Sequence, residues 1–385
     1  MRSPLWHLGI SQFLDKAPVF RFGRSPEFEG HCLDPGAESC SILKAMENRS
    51  SFFNLKTLTT IVLLVLIVFL FAPSLIPGSG YVTRAIYWSN TDFSRKSVNL
   101  SEIISGGPKK DGIPSIDRPE FISIAEASAL NDRSPVISFA WNDTAKAYPL
   151  GILMSHEIVN DKFGDLPVAV TYCPLCNASI VFEAQVDGRE LKFGTTGNLR
   201  NSDLVMYDRQ TQTWWQQFTG EAIVGELTGT RLKMLPSRVE SFARFKSRYP
   251  HGKVLKPWSP NNFGSNPYAG YDTSSRPFLY NGPLPDDIHP MARVVVVNGK
   301  AWTLELLRNR RKITVQDIVL RWEPGQSSAL DTRSIARGRE VGNVIVQKST
   351  NGELRDAVHD VTFAFVFHAF HPDGKIVRAL DSTSN

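Results

Sequence analysis

Apolar residues fall in two patterns along this chain. The first is one long run, Leu58 to Phe71, reading Leu-Thr-Thr-Ile-Val-Leu-Leu-Val-Leu-Ile-Val-Phe-Leu-Phe, with no charge after it until Arg84. Extended through Ile76 it covers about 19 residues, close to the roughly 20 that a bilayer requires. Its densest part, Ile61 to Ala72, has the length of a signal-peptide core. No Ala-x-Ala site follows, so an uncleaved signal anchor over 58–76 is the reading preferred to a cleaved signal. The run has no polar face, which argues against a buried core helix. Arg49 and Lys56 precede it and Arg84 follows. This slight bias places the main domain outside the cytoplasm, in the periplasm or beyond the cell. Residues 1–57 read as a tail, with Met46 as an alternative start.

The second pattern is a series of short apolar segments separated by turn residues. Residues 77–119 are rich in Gly, Pro and Ser and read as an extended linker. Ser123-Ile-Ala-Glu126 has the form of a capping box and predicts a helix to Ala129. Strands are predicted at Pro135–Ala140, Ala145–Leu150, Val168–Tyr172 and Ser179–Ala184. Asp187-Gly188 is a hairpin signal leading into Glu190–Gly194. Further strands are predicted at Leu204–Tyr207, Thr213–Phe218 and Ala222–Leu227. Helices are predicted at Ile152–Val159 and Val239–Arg248, and a long loop over Trp258–Pro290.

Two stretches echo each other. Lys146-Ala-Tyr-Pro-Leu150 resembles Lys300-Ala-Trp-Thr-Leu304. Val168 to Cys176 can be laid over Ile318 to Gln326, where both thiols are missing. The fold expected is mainly β (α+β), with two related β-rich halves, a few short helices and one N-terminal transmembrane helix. A domain over 120–285 carries the cysteines, and 286–385 is a degenerate second repeat.

Composition narrows the function class. Hydrophobic residues at 42% and charged residues at 21% fit a folded chain, not a disordered one. The net charge of +5 is modest and dispersed. The basic run Arg308, Arg310, Arg311 and Lys312 reads as a solvated hairpin face, and no nucleic-acid motif accompanies it. Four cysteines in 385 residues exclude a small disulfide-stapled scaffold, while an envelope interaction domain stapled by one disulfide stays open. Cys32 and Cys40 lie before the apolar run and would not share a compartment with Cys173 and Cys176.

Chemistry concentrates in Cys173-Pro-Leu-Cys176. Thiolates are both nucleophiles and soft-metal ligands, and this spacing brings two sulfurs together across one turn. Four readings stay open: a structural disulfide, a redox-active dithiol, a soft-metal site for Cu(I) or Zn(II), and a single nucleophilic cysteine with a histidine base. Strand character in Ser179–Ala184 argues against a thioredoxin arrangement, in which a long helix follows the motif. A four-cysteine zinc ribbon lacks its second pair.

His156 is the expected helper, as third metal ligand or as base. Glu157 reads as a surface charge, and His368 and His371 as packed among aromatics. Gly194 to Asp203 reads as an irregular polar loop, in which Arg200 could grip an anion and Asp203 could orient a histidine. Trp214 and Trp215 are candidates for a pocket floor. The site expected is thus Cys173, Cys176, His156, Arg200 and Asp203.

The chain also resembles an uncharacterised family, domain of unknown function (DUF) 3179. The resemblance rests on Ser105-Gly-Gly-Pro-Lys-Lys-Asp-Gly-Ile-Pro114, Ala147-Tyr-Pro-Leu150, His156-Glu-Ile-Val-Asn160 and Val170-Thr-Tyr-Cys-Pro-Leu-Cys176. It continues through Asn201-Ser-Asp-Leu204, Met206-Tyr-Asp-Arg209, Trp215-Gln216 with Gly220, and Asn266-Pro-Tyr-Ala-Gly-Tyr271. It spans roughly 100–281, with a weaker echo beyond. It implies a domain common in bacterial, often exported, proteins, and no established reaction. Asn177 stands where the family often has glycine, and the part from Arg308 looks divergent. Enzyme or binding module, substrate and partner stay open, apart from the membrane through 58–76.

Overall fold

A computed structural model describes residues 87–259 and 262–380. The apolar run at 58–76, Cys32 and Cys40 lie outside the described residues. Among those described, no helix is long and apolar enough to cross a membrane.

Short strands dominate, with few helices, in a propeller-like arrangement. The hairpins follow local turn chemistry. Asn142 and Asp187 adopt positive φ in tight turns, as do Asn298 and Gly299. Pro135–Trp141 pairs antiparallel with Thr144–Pro149, and Ile158–Phe163 with Leu166–Cys173. Leu166–Cys173 pairs on its other edge with Ala178–Glu183. As an interior strand it is covered on both faces, which is why its sequence reads as a continuous apolar run rather than an alternation.

The same order of elements occurs twice. A hairpin (Pro135–Trp141 with Thr144–Pro149) runs into a short helix, Leu150–Leu153. A second hairpin and a third strand follow in the neighbouring sheet. Later, Arg293–Val297 with Lys300–Thr303 runs into the helix Leu304–Arg310, then into Lys312–Val315, Ile318–Glu323 and Asn343–Thr350. Each first hairpin gains a strand that leads straight into a helix: Arg238–Ser241 into Phe242–Arg248, and Asp360–Phe363 into Ala364–Phe370. Each then gains a parallel strand, Lys253–Leu255 or Ile376–Val377. Gly252 and Gly374 sit in matching turns, where a Cβ would stand 2.6 Å from the ring of Phe245 or Phe367.

Several local expectations change. The helix expected over Ile152–Val159 stops at Leu153. Glu157 turns the chain with a φ of 57°, and β-branched Ile158 and Val159 join a strand opposite Thr171 and Val170. The capping-box hydrogen bonds between Ser123 and Glu126 form, yet the chain makes successive turns rather than a helix. Gly194 to Asp203 is not an irregular loop. Phe193–Arg200 is a strand with a bulge between Thr195 and Asn198, and it turns through Asn201 and Ser202, both at positive φ, into Asp203–Asp208. The helix expected over Val239–Arg248 begins only at Phe242, capped by Ser241, after a strand.

Candidate thiol–carboxylate centre

The cysteine-bearing turn is built locally. Cys173 ends its strand opposite Ala178, and four residues close the turn. The Cys176 N–H donates to the Cys173 carbonyl at 3.2 Å, and the Asn177 N–H to that of Pro174 at 3.2 Å. Asn177 takes a φ of 52°, a left-handed conformation that asparagine tolerates. Both sulfurs therefore point the same way. They are 3.7 Å apart, free thiols rather than a disulfide. Both are buried, at 1% and 0% exposure.

A second turn meets them. The Ser202 carbonyl lies 3.7 Å from Cys173 Sγ and 3.5 Å from Cys176 Sγ. The next residue, Asp203, brings a carboxylate oxygen to the pair, so that three donor atoms lie within 4.8 Å of one another. Asp203 Oδ2 accepts from Gln216 Nε2 at 2.7 Å and from the Phe218 N–H at 2.8 Å. Both thiols hydrogen-bond to this carboxylate, whose Oδ1 is buried.

Among the described residues no cation pairs with Asp203. Burial pushes the Asp203 carboxyl up to about 6, although hydrogen bonds from Gln216 and Phe218 pull the other way. Burial, with the Asp203 charge, pushes Glu157 up to about 8. A third carboxyl, Asp360, accepts from the Ser179 N–H at 3.1 Å and is pushed by burial to about 7. Both thiols are raised by burial, Cys176 well above the ordinary range. The resting centre thus carries protons rather than full negative charge.

Loop and strand close it off. Tyr271 Oη donates to the Leu175 carbonyl at 3.0 Å and accepts from the Phe278 N–H at 3.2 Å. Ser202 Oγ donates to the Phe278 carbonyl at 2.6 Å. Burial, then the nearby Glu157 and Cys173, raises the Tyr268 phenol to about 12. From the other side, Thr362 Oγ1 donates to the Cys176 carbonyl at 2.7 Å, and Asn177 Nδ2 to that of Val361 at 2.6 Å.

The family model of DUF3179, a protein of unknown function, matches residues 110–374. The chain belongs to this family. The match runs well past 281, so the part that looked divergent from Arg308 lies inside the family domain. No curated protein and no solved structure matches.

Within this DUF3179 domain, the residues expected at the site separate. Asp203 joins the two cysteines. Arg200 does not touch them: it pairs with Glu102 at 2.8 Å, and its Nη1 donates to Gln216 Oε1 at 3.4 Å. It is linked to Asp203 through Gln216, not directly. His156 is not in the donor group. Its Nδ1 lies 2.8 Å from the Pro114 carbonyl, on a partly exposed turn.

His371 stacks on Phe367 with ring centroids 5.0 Å apart, in line with the packing role expected for it. Trp215 donates to Asp208 at 2.9 Å, and Trp214 packs on Trp88 and Phe93, so neither floors this centre. Glu157, read as a surface charge, is buried at 7% exposure. Tyr268, Tyr271 and Gln216 were visible only as parts of family motifs. Nothing in their local sequence points at the thiols.

Proposed function

We propose that this domain binds a metal ion through Cys173, Cys176 and Asp203, and that Zn(II) suits the donors better than Cu(I). The observation that carries the reading is two sulfurs and one carboxylate oxygen, all buried, within 4.8 Å of one another. Two thiolates and one carboxylate suit a borderline ion, whereas Cu(I) prefers an all-sulfur set. Zinc takes four ligands, so one position stays for Glu157, water or a bound molecule. Metal binding would displace the protons now held on both thiols. Asp203 takes the place first expected for His156 as third ligand.

A dithiol cycle is the second reading. It is favoured by the 3.7 Å separation of the sulfurs and by Asp203 beside them as proton acceptor. A nucleophilic-cysteine enzyme is supported less well, because raised thiols buried beneath a loop make poor attacking groups. An anchor at 58–76, with the domain outside the cytoplasm, completes the proposal and rests on the apolar run alone.

Elemental analysis of the purified protein, paired with thiol alkylation, tests it. The expected result is one zinc ion per chain and thiols that alkylate only after chelation. Cys173→Ser and Asp203→Asn should each lose the ion. Absence of metal with reversible oxidation moves the assignment to the dithiol cycle. A closed disulfide resistant to reductant sinks both readings.

A further inference from the structure

Apart from the thiols, the part beyond residue 286 holds an open cleft of about 610 Å³. It lies between segment 287–293, the start of helix Leu304–Arg310 and segment 339–341, within the size range of small-molecule sites. Four arginines line it: Arg293, Arg308, Arg339 and Arg378. Their pairing is uneven. Arg293 and Arg339 share one buried carboxylate, Asp272, at 3.2 Å and 3.0 Å. The Arg293 side chain is 7% exposed, and its Nε is buried without a partner. Among the described residues the Arg308 guanidinium lies over the Trp322 ring at 5.6 Å and forms no ion pair.

With Asp272 the carboxylates equal the arginines in number, but those in the cleft are held away from Arg308 and Arg339. Asp287 is taken by Arg378. Glu340 Oε1 accepts from the N–H groups of Gly325 and Gln326 at 3.0 Å, and its other oxygen faces Arg133 at 3.7 Å. Glu305 stands exposed at the rim.

We propose that this cleft is a binding site for a small oxyanion, a carboxylate or phosphate group on a metabolite-sized molecule, with Arg308 and Arg339 as the gripping guanidiniums over an Arg293 floor. Guanidinium forks match both anions in bidentate geometry. A smaller void of about 20 Å³ shares Arg293 with the cleft and touches Asn177 and Ser179, just beyond Cys176. The floor of the anion site therefore borders the turn that carries the thiols. The inference stands without the metal reading.

Titration calorimetry on the full chain tests it, with chelator present and ionic strength held constant with chloride. Inorganic phosphate and succinate are the two probes. Saturable binding of either is expected, and which one binds names the anion. Arg308→Gln removes an exposed side chain from outside the core and should weaken binding about tenfold with unchanged melting. Glu305→Gln should tighten it. Cys173→Ser should leave it unchanged, which separates this result from the outcome at the thiols. No saturable heat with either probe at millimolar concentration, or equal affinity in Arg308→Gln, overturns the proposal.

Discussion

Around the two thiols, protonation follows burial more than sequence neighbourhood. Glu157 and Asp203 are held at about 8 and about 6 in the folded chain, above their ordinary values of 4.5 and 3.8. A carboxyl raised on folding stabilises the fold fully below its unfolded value, and the contribution is lost as pH rises through the folded one. Melting of the metal-free protein is therefore expected to fall between about pH 4 and about pH 8. Glu157→Gln should lessen the slope throughout and abolish it above about pH 7, whereas Asp203→Asn should lessen it only below about pH 6, Asp360 contributing up to about pH 7. With metal bound the sign reverses, because protons then compete with the ion, and thermal stability should rise over the same interval. A melting series in chelator and in zinc reads both slopes. Gln216 acts through Asp203, so Gln216→Leu is expected to weaken zinc binding by roughly 10- to 100-fold, as losses of orienting partners do. Competition with a chromophoric chelator measures it.

At the scale of elements, the hairpins were legible and the site's second wall was not. Asp187-Gly188 declares a turn through residues that accept positive φ, and the structure turns there. Gly194-Thr-Thr-Gly-Asn carries the same residue types, yet it forms a bulged strand. The difference lies outside the segment: the strands Ile103–Ser105 and Asp203–Asp208 flank it and claim its hydrogen bonds. Gly197 has a φ of 75° in that bulge, and a Cβ there would lie 2.0 Å from the Pro108 carbonyl. Gly197→Ala should cost about 1–3 kcal/mol in urea unfolding. It should also loosen the turn that presents Ser202 and Asp203. The helix expected over Ile152–Val159 failed for a related reason, since Ile158 and Val159 serve a strand partner that lies later in the chain.

The described residues belong to one compact unit, in which a late strand meets the cysteine turn. Strand Asp360–Phe363 reaches that turn through three residues: Asp360 to Ser179, Val361 to Asn177 and Thr362 to Cys176. The later part is thus not merely a copy without thiols, because it braces the ones in the earlier part. Thr362→Val keeps the side-chain shape and removes the 2.7 Å hydrogen bond to Cys176. The Cys176 carbonyl keeps the Phe363 N–H at 3.4 Å, so the loss should be that of one hydrogen bond, about 0.5–1.5 kcal/mol, with weaker metal binding as well.

By itself the sequence determined what is local: which segments could be strands, where the tight turns fall, that two thiols share a turn, and the family to which the chain belongs. Only the tertiary structure decided that Asp203, rather than His156, joins the sulfurs, and that Glu157 is buried. It also decided that Arg200 is spent on Glu102. The physical reason is range. Strand periodicity and turn chemistry act over a few residues. The burial that shifts a carboxyl, and the choice of its neighbours, depend on chain brought from as far away as Thr362.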